Sequence, residues 1–263
     1  MALSADGRLL AVVNPDNDTV SFFDVQSDSN RKLPEIFVGT EPNSVAVNPE
    51  GTRAYVANTV SGTVTVISIT RNSALVARAL TNIAVGTEPY GLALTPNGRK
   101  LYVTNARSNS VSVIDTNTNQ NFKTIENVGN EPRGIAITNN LNDNDDDETV
   151  FVTQFLALPV STKLDGEDDS KAGLVTVLST ATDSIQRTIV LRPMADSGFK
   201  AAGDAIARVA PPATPWPTTS SSLPAHTRIN STVSAFAAIS RSSRRPDPRP
   251  TARPVSTSIR RAC

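Results

Sequence analysis

The feature that most constrains this chain is an internal repeat. The segment SVAVNPEGTRAYVANTVSGTVTVISI from Ser44 recurs as GLALTPNGRKLYVTNARSNSVSVIDT from Gly91, and a looser copy, MALSADGRLLAVVNPDNDTVSFFDV, begins at Met1. Ala46 and Ala93 are 47 residues apart, and Ala93 and Ala136 are 43 apart. A fourth copy runs from GIAIT at Gly134 through VFVTQ at Val150 to GLVTVLS at Gly173, stretched by two acidic insertions. Units of this length fold as stacked copies of one supersecondary element, because a single unit cannot bury its own apolar faces.

Within each copy the apolar period is 2, which specifies strands. In residues 63–69, Val64 and Val66 fall on one face and Thr65, Ile67 and Ile69 on the other. Two apolar faces suit a sheet sandwiched between neighbouring sheets. Each copy supplies four short strands: A (VAV, LAL, IAI), B (AYVAN, LYVTN, VFVTQ), C (TVTVISI, VSVID, LVTVLS) and D, for example residues 82–85. Turn chemistry separates them, with Asn48-Pro49-Glu50-Gly51 and Thr95-Pro96-Asn97-Gly98 between A and B, and Ser61-Gly62 and Ser108-Asn109 between B and C. The expected fold is all-β, a β-propeller of four-stranded antiparallel blades. About four blades are present, at residues 1–43, 44–90, 91–133 and 134–193. Closed propellers have about 4 to 8 blades, so the expectation is an incomplete propeller, a piece of a longer protein with a sheet face uncovered at each end; a four-bladed closure is the alternative.

The tetrapeptide Tyr102-Val103-Thr104-Asn105, followed by SNSVSVIDTNTN and closed by Gly-x-x-Pro before the next GIA, resembles the YVTN β-propeller repeat of bacterial and archaeal surface proteins and of seven-bladed lactonase-like proteins. The resemblance covers residues 1–193 and departs from the pattern at LAVVN (10–14) and VFVTQ (150–154). It implies a seven-bladed parent, exported to the periplasm, surface or exterior. It implies no particular active site, because repeats define the family.

Beyond residue 193 the pattern stops. Phe199, Ala202, Ile206 and Val209 have helical spacing, which predicts a short helix or linker over 194–210. The chain's 25 Lys+Arg and 25 Asp+Glu cancel, but unevenly: residues 1–210 carry 17 basic and 24 acidic side chains, and residues 211–263 carry 8 and 1. That last segment, rich in Pro, Ser and Arg and without glycine, is expected to be disordered. A non-native or frame-shifted end accounts for it better than a nucleic-acid arm, for which it offers only Trp216 and Phe236 as stacking aromatics.

Composition removes several chemistries. The one cysteine is Cys263 and the one histidine is His226, which leaves the repeats without a disulfide framework, a Ser-His-Asp triad or a His-metal cluster. No apolar run approaches the roughly 20 residues of a spanning helix, and MALSADGRLL lacks the charge and apolar order of a signal peptide. Motifs for phosphate loops, zinc proteases and hydrolase nucleophiles are absent.

Three groups of residues remain as candidates. The D-to-A turns carry Glu41, Glu88 and Glu131, followed two positions on by Asn43, Tyr90 and Arg133. Strand alternation puts these turns with the B-to-C turns on one face, where they would ring the mouth of the central channel. They form either a polar ring for a small ligand or cation, or structural turns whose Glu bonds backbone amides or a neighbouring Arg. In the insert from Asn142, Asp143, Asp145 and Asp147 have the alternate spacing of a Ca²⁺ loop, without the Gly and distal Glu of an EF-hand; a solvated charged loop is the competing account. The second insert, with Asp165, Glu167, Asp168 and Asp169, joins B to C and is expected on the opposite face. The Asn closing strand B (Asn14, Asn58, Asn105) reads as turn support.

The leading expectation is a non-catalytic binding or cell-envelope interaction module that takes a protein or small-molecule ligand at the propeller face. The alternatives are a lactonase-like hydrolase and nucleic-acid binding by the tail.

Overall fold

The computed structural model describes residues 1–26, 31–71, 75–140, 142, 144–163 and 170–192. The segments read from sequence as a helix or linker and as a tail, the second acidic insert and Asp143 lie outside the described residues.

Four antiparallel sheets follow one another along the described residues. The first holds β1 (Ala2–Leu3), β2 (Leu9–Asn14), β3 (Thr19–Asp24) and β4 (Arg31–Phe37). The second holds β5 (Pro42–Val47), β6 (Arg53–Asn58), β7 (Thr63–Arg71) and β8 (Leu75–Ala84), and the third β9 (Pro89–Leu94), β10 (Lys100–Asn105), β11 (Ser110–Asp115) and β12 (Gln120–Ile125). In the fourth, β13 (Pro132–Ile137), β14 (Thr149–Gln154), β16 (Lys171–Ser179) and β17 (Ser184–Leu191) repeat the order, and a short β15 (Leu158–Pro159) adds to the start of β16. These are propeller blades, and strands A to D of the repeat are the four strands of each meander. Strand D of the second blade is longer than the sequence pattern suggests. Strand β7 runs to Arg71 and pairs through Arg71↔Leu75, so the hairpin extends past the packed sheet, where no apolar alternation marks it.

The two-faced pattern is resolved by packing between blades. Val64 and Val66 join Tyr55, Leu101, Val103 and Ile114 in a core between the second and third blades. Ile67 and Ile69 point the other way, into a core with Leu9, Ala11, Val20 and Phe22 of the first blade. A third core sets Tyr102, Val111 and Val113 against Val150, Val152 and Leu178 of the fourth. Each fully buried aliphatic contributes about 1.5–3 kcal/mol, so the interblade cores rather than the ladders alone hold the arc together. Among the described residues no apolar core joins the fourth blade to the first, and β17 leaves Ile185, Ile189, Val190 and Leu191 36–57% exposed.

Strand-B asparagines brace the B–C hairpin of the first three blades, and in the second and third they also meet the blade's entry turn. The Nδ2 of Asn58 donates to Thr63 and Thr65, and that of Asn105 donates to Ser110 and Ser112, all across the B–C ladder. Asn14 does the same with Thr19 and Ser21. The turn glycine packs on this amide: a Cβ on Gly86 would lie 2.6 Å from Asn105 and one on Gly39 2.7 Å from Asn58. Gly-x-x-Pro and the strand-B Asn are therefore two halves of one close approach. Among the described residues no helix is long and apolar enough to cross a membrane.

Candidate functional site

Strand alternation brings the D-to-A and B-to-C turns to one face, and hydrogen bonds join them. Thr59 and Val60 amides donate to the carbonyls of Glu41 and Thr40; Ala106 and Arg107 repeat this with Glu88 and Thr87, and Phe155 and Leu156 with Glu131 and Asn130. Glu41, Glu88 and Glu131 all adopt left-handed backbone, with φ of 53, 54 and 50°, a costly region for a side chain of this type. Side chains of the preceding blade's B-to-C turn hold two of them there: Asp18 accepts from the Glu41 amide and Asn109 from the Glu131 amide. The equivalent position before Glu88 is Gly62, which has no side chain to offer.

On this face the structure brings together four of the six channel-mouth residues and omits two. Arg107 sits between two turns, 3.4 Å from Glu88 and 3.2 Å from Glu131. Glu131 meets Arg133 at 3.1 Å through its other oxygen. The Arg133 guanidinium lies 3.7 Å from the Phe155 ring centre and 5.0 Å from that of Tyr90, within cation–π range. Its Nε is buried without a hydrogen-bond partner among the described residues. Glu41 and Asn43 are exposed, and among the described residues their side chains make no hydrogen bond or ion pair.

Two members of the site, Arg107 and Phe155, escaped the sequence reading. The repeat carried the signal. Aligning the B-to-C turns puts Arg107 where the second blade has Val60 and the fourth has Leu156, 62% and 48% exposed, so one cation replaces an exposed aliphatic. Phe155 likewise replaces Thr59 and Ala106. The resulting cluster holds two carboxylates and two guanidiniums beside two aromatic rings. Balanced charge of this kind suits a ligand that brings both hydroxyl groups and an anionic group, the hydroxyls donating to carboxylates and the anion accepting from arginine.

The first acidic insert lies on the opposite face, with the A-to-B turns. Asn142 and Asn144 side chains accept backbone amides two residues on, and Asn142 Nδ2 donates to Asp147; this last bond holds the Asp147 carboxyl below the usual range. Asp145 turns inward, 7% exposed, and accepts from the Asn97 amide of the third blade at 3.2 Å. Asp145 and Asp147 thus take separate partners. Among the described residues no three carboxylate or imidazole groups converge as a metal ion would require.

Comparison with known proteins bears on the fold. Residues 1–90, the first two blades, match the family described as lactonase, 7-bladed beta-propeller. No curated protein matches the chain. Among solved structures, hydrazine synthase of Kuenenia stuttgartiensis is similar at 23% identity and a TM-score of 0.59, over 72% of this chain and 48% of that one. A putative 6-phosphogluconolactonase from Bacteroides uniformis is similar at 18% and 0.53, over 74% and 55%. A functionally unknown protein from Desulfotomaculum acetoxidans follows at 15% and 0.50, over 73% and 61%. At these identities the likeness is one of fold. The chain spans about half to three fifths of the length of the structures it matches.

Proposed function

We propose that this chain is a ligand-binding arc of a lactonase-type propeller, which takes a sugar acid or its lactone at the D-to-A face through Arg133 and Arg107, without chemistry of its own. The observation that carries this reading is Arg133, whose guanidinium is stacked on Phe155 with a buried, unpartnered Nε. An arginine fixed by a ring on one side and Glu131 on another is preorganised, so a bound anion gains its hydrogen bonds without the cost of ordering the side chain. Tyr90 and Phe155 supply apolar area for a sugar face.

Lactone hydrolysis at the same cluster is the second reading, and the family match over residues 1–90 favours it. It would need Glu131 or Glu88 to activate water, and both are engaged with arginine. Titration calorimetry with 6-phosphogluconate, beside a hydrolysis assay on its δ-lactone, separates the two. Saturable binding lost in Arg133→Ala with no turnover supports the binding arc. Turnover abolished by Glu131→Gln establishes the hydrolase instead, and neither binding nor turnover removes both.

A further inference from the structure

The two junctions that flank the third blade repeat one polar device on the A-to-B face. At the junction of blades two and three, Arg53 donates to the Thr116 carbonyl at 2.6 Å beside the buried Tyr55. At the next, Lys100 donates to the Thr180 carbonyl at 2.7 Å beside the buried Tyr102. The repeat offset relates Arg53 to Lys100, Tyr55 to Tyr102, Thr116 to Thr180, and Asn119 to Asp183, the last two both in left-handed backbone.

The surroundings of the cation differ. Lys100 meets Asp183 at 3.1 Å and Asp146 at 3.8 Å, and Asp145 covers the third blade's turn from above through the Asn97 amide. The acidic insert of blade four therefore closes its own junction with carboxylates. Blade three has no insert. Its A-to-B turn is the four residues 95–98, which pack Gly98 against Pro49 of the second blade but bring no carboxylate, and Asn119 stands where the carboxylate of Asp183 would be. What remains is an open cleft of about 410 Å³ lined by Glu50, Arg53, Tyr55, Arg99 and Thr116 among others. Arg99 is exposed and forms no ion pair among the described residues; Glu50 is occupied by a hydrogen bond from Asn48 at 2.7 Å. The volume lies within the range of small-ligand sites.

We propose that this cleft is a second binding site, for a carboxylate-bearing ligand held by Arg53 and Arg99, which takes the place that Asp145 and Asp146 fill at the neighbouring junction. It lies on the face opposite Arg133 and does not depend on the function proposed for that cluster. The occupant is an acidic peptide segment or a small dicarboxylate, and the recognition chemistry is the same: charge-assisted hydrogen bonds from guanidinium to carboxylate.

The test is calorimetric titration of the full chain at low ionic strength with two probes, the capped heptapeptide Asn-Asp-Asn-Asp-Asp-Asp-Glu and succinate. Saturable binding of either probe is expected, weakened tenfold or more by Arg99→Glu and tightened a few-fold by Glu50→Ala, which removes a competing carboxylate. Binding of the peptide alone identifies a polypeptide partner, and binding of succinate identifies a free dicarboxylate. Binding that ignores both substitutions arises elsewhere on the chain and overturns the proposal, as does the absence of binding by both probes. Both substituted residues are surface turn positions, and Arg99→Ala, expected to weaken binding by a smaller factor, serves as a check should Arg99→Glu perturb the turn.

Discussion

The junctions on either side of the third blade share backbone geometry and differ in chemistry. Between blades two and three, the inner strands touch through a side chain: Ser44 Oγ donates to the Tyr90 carbonyl at 2.5 Å. Between blades three and four the same repeat position is Gly91, where a Cβ would sit 2.3 Å from the Arg133 carbonyl oxygen. One junction has room for a hydroxymethyl group and the other has none for a methyl. On the A-to-B rim the contrast reverses, since the second junction is filled by acidic side chains and the first is an open cleft. Repetition therefore fixes the sheet and the apolar cores, while the width of each junction and the charge at its rims vary from copy to copy.

Substitution at the inner position breaks this comparison most sharply. Gly91→Ala pushes a methyl against backbone that cannot swing aside, so a loss of about 3 kcal/mol is expected, at the upper end of overpacking costs. Ser44→Ala removes one hydrogen bond and is expected to lose about 1 kcal/mol. Denaturant unfolding of the two variants measures the difference; equal losses would show that the junctions do not differ in width.

The next contrast is electrostatic. Asp183→Asn gives the second junction the residue of the first. It removes the carboxylate from Lys100 and from the Tyr102 hydroxyl that donates to it, for an expected loss of about 2 kcal/mol in unfolding free energy. Asn119→Asp, the reciprocal change, puts a carboxylate at the repeat position of Asp183 and is expected to weaken binding of the acidic probes at the open cleft several-fold by titration calorimetry. Tyr102 titrates well above the ordinary tyrosine value because burial and then Asp183 disfavour its phenolate. A pKa raised on folding means this stabilisation is complete below about pH 10, the unfolded value, and is lost as pH rises beyond it. Tyr55 is raised by burial too, but Arg53 and Thr116 oppose the shift. Alkaline unfolding should therefore move to higher pH more in Tyr102→Phe, measured relative to its own stability at neutral pH, than in Tyr55→Phe.

A smaller difference is set by the strand-B amides. Asn105 uses both ends of its side chain, donating to Ser110 and Ser112 and accepting from the Gly86 amide at 3.1 Å. Asn58 makes the two donor bonds, and its Oδ1 is buried without a partner. Asn105→Ala is expected to cost about 1 kcal/mol more than Asn58→Ala, the net worth of one hydrogen bond, by the same denaturant measurement.

Much of this architecture is legible in the chain itself, because a period of 2 recurring in four copies leaves few alternatives. Val64, Val66, Ile67 and Ile69 specify a sheet with two buried faces before any neighbour is known, and Gly-x-x-Pro marks the turn into the next copy; that Gly86 packs on Asn105 is visible only in the structure. Strand β15 and the extension of β7 to Arg71 were hidden because their residues face solvent or lie in an insert, where no packing imposes a pattern. The candidate site was half legible. Glu88, Tyr90, Glu131 and Arg133 were found because they recur at fixed turn positions, and Glu41 and Asn43, equivalent by the same rule, stand apart because their blade carries Val60 where Arg107 would link them. Asp145 illustrates a further limit: its partner is a backbone amide 48 residues away, and amides have no sequence signature.

Arg107 gives the finest test of how copies diverge. Arg107→Val restores the second blade's residue and removes the bridge between Glu88 and Glu131. The side chain is 62% exposed, so solvent screens both ion pairs and the expected loss of stability is about 0.5 kcal/mol or less, a fall in melting temperature of at most about 2 °C that shrinks further in high salt. Ligand binding should respond more strongly, because the substitution removes one of the two cations proposed to take the anion and leaves Glu88 and one oxygen of Glu131 without their guanidinium, while Glu131 keeps its pair with Arg133. A sugar-acid affinity that falls at least tenfold against a nearly unchanged melting temperature would show that blade divergence at this turn serves recognition. A large loss of stability with unchanged affinity would show that Arg107 is structural, and that the third blade differs from the second only in how its turns are braced.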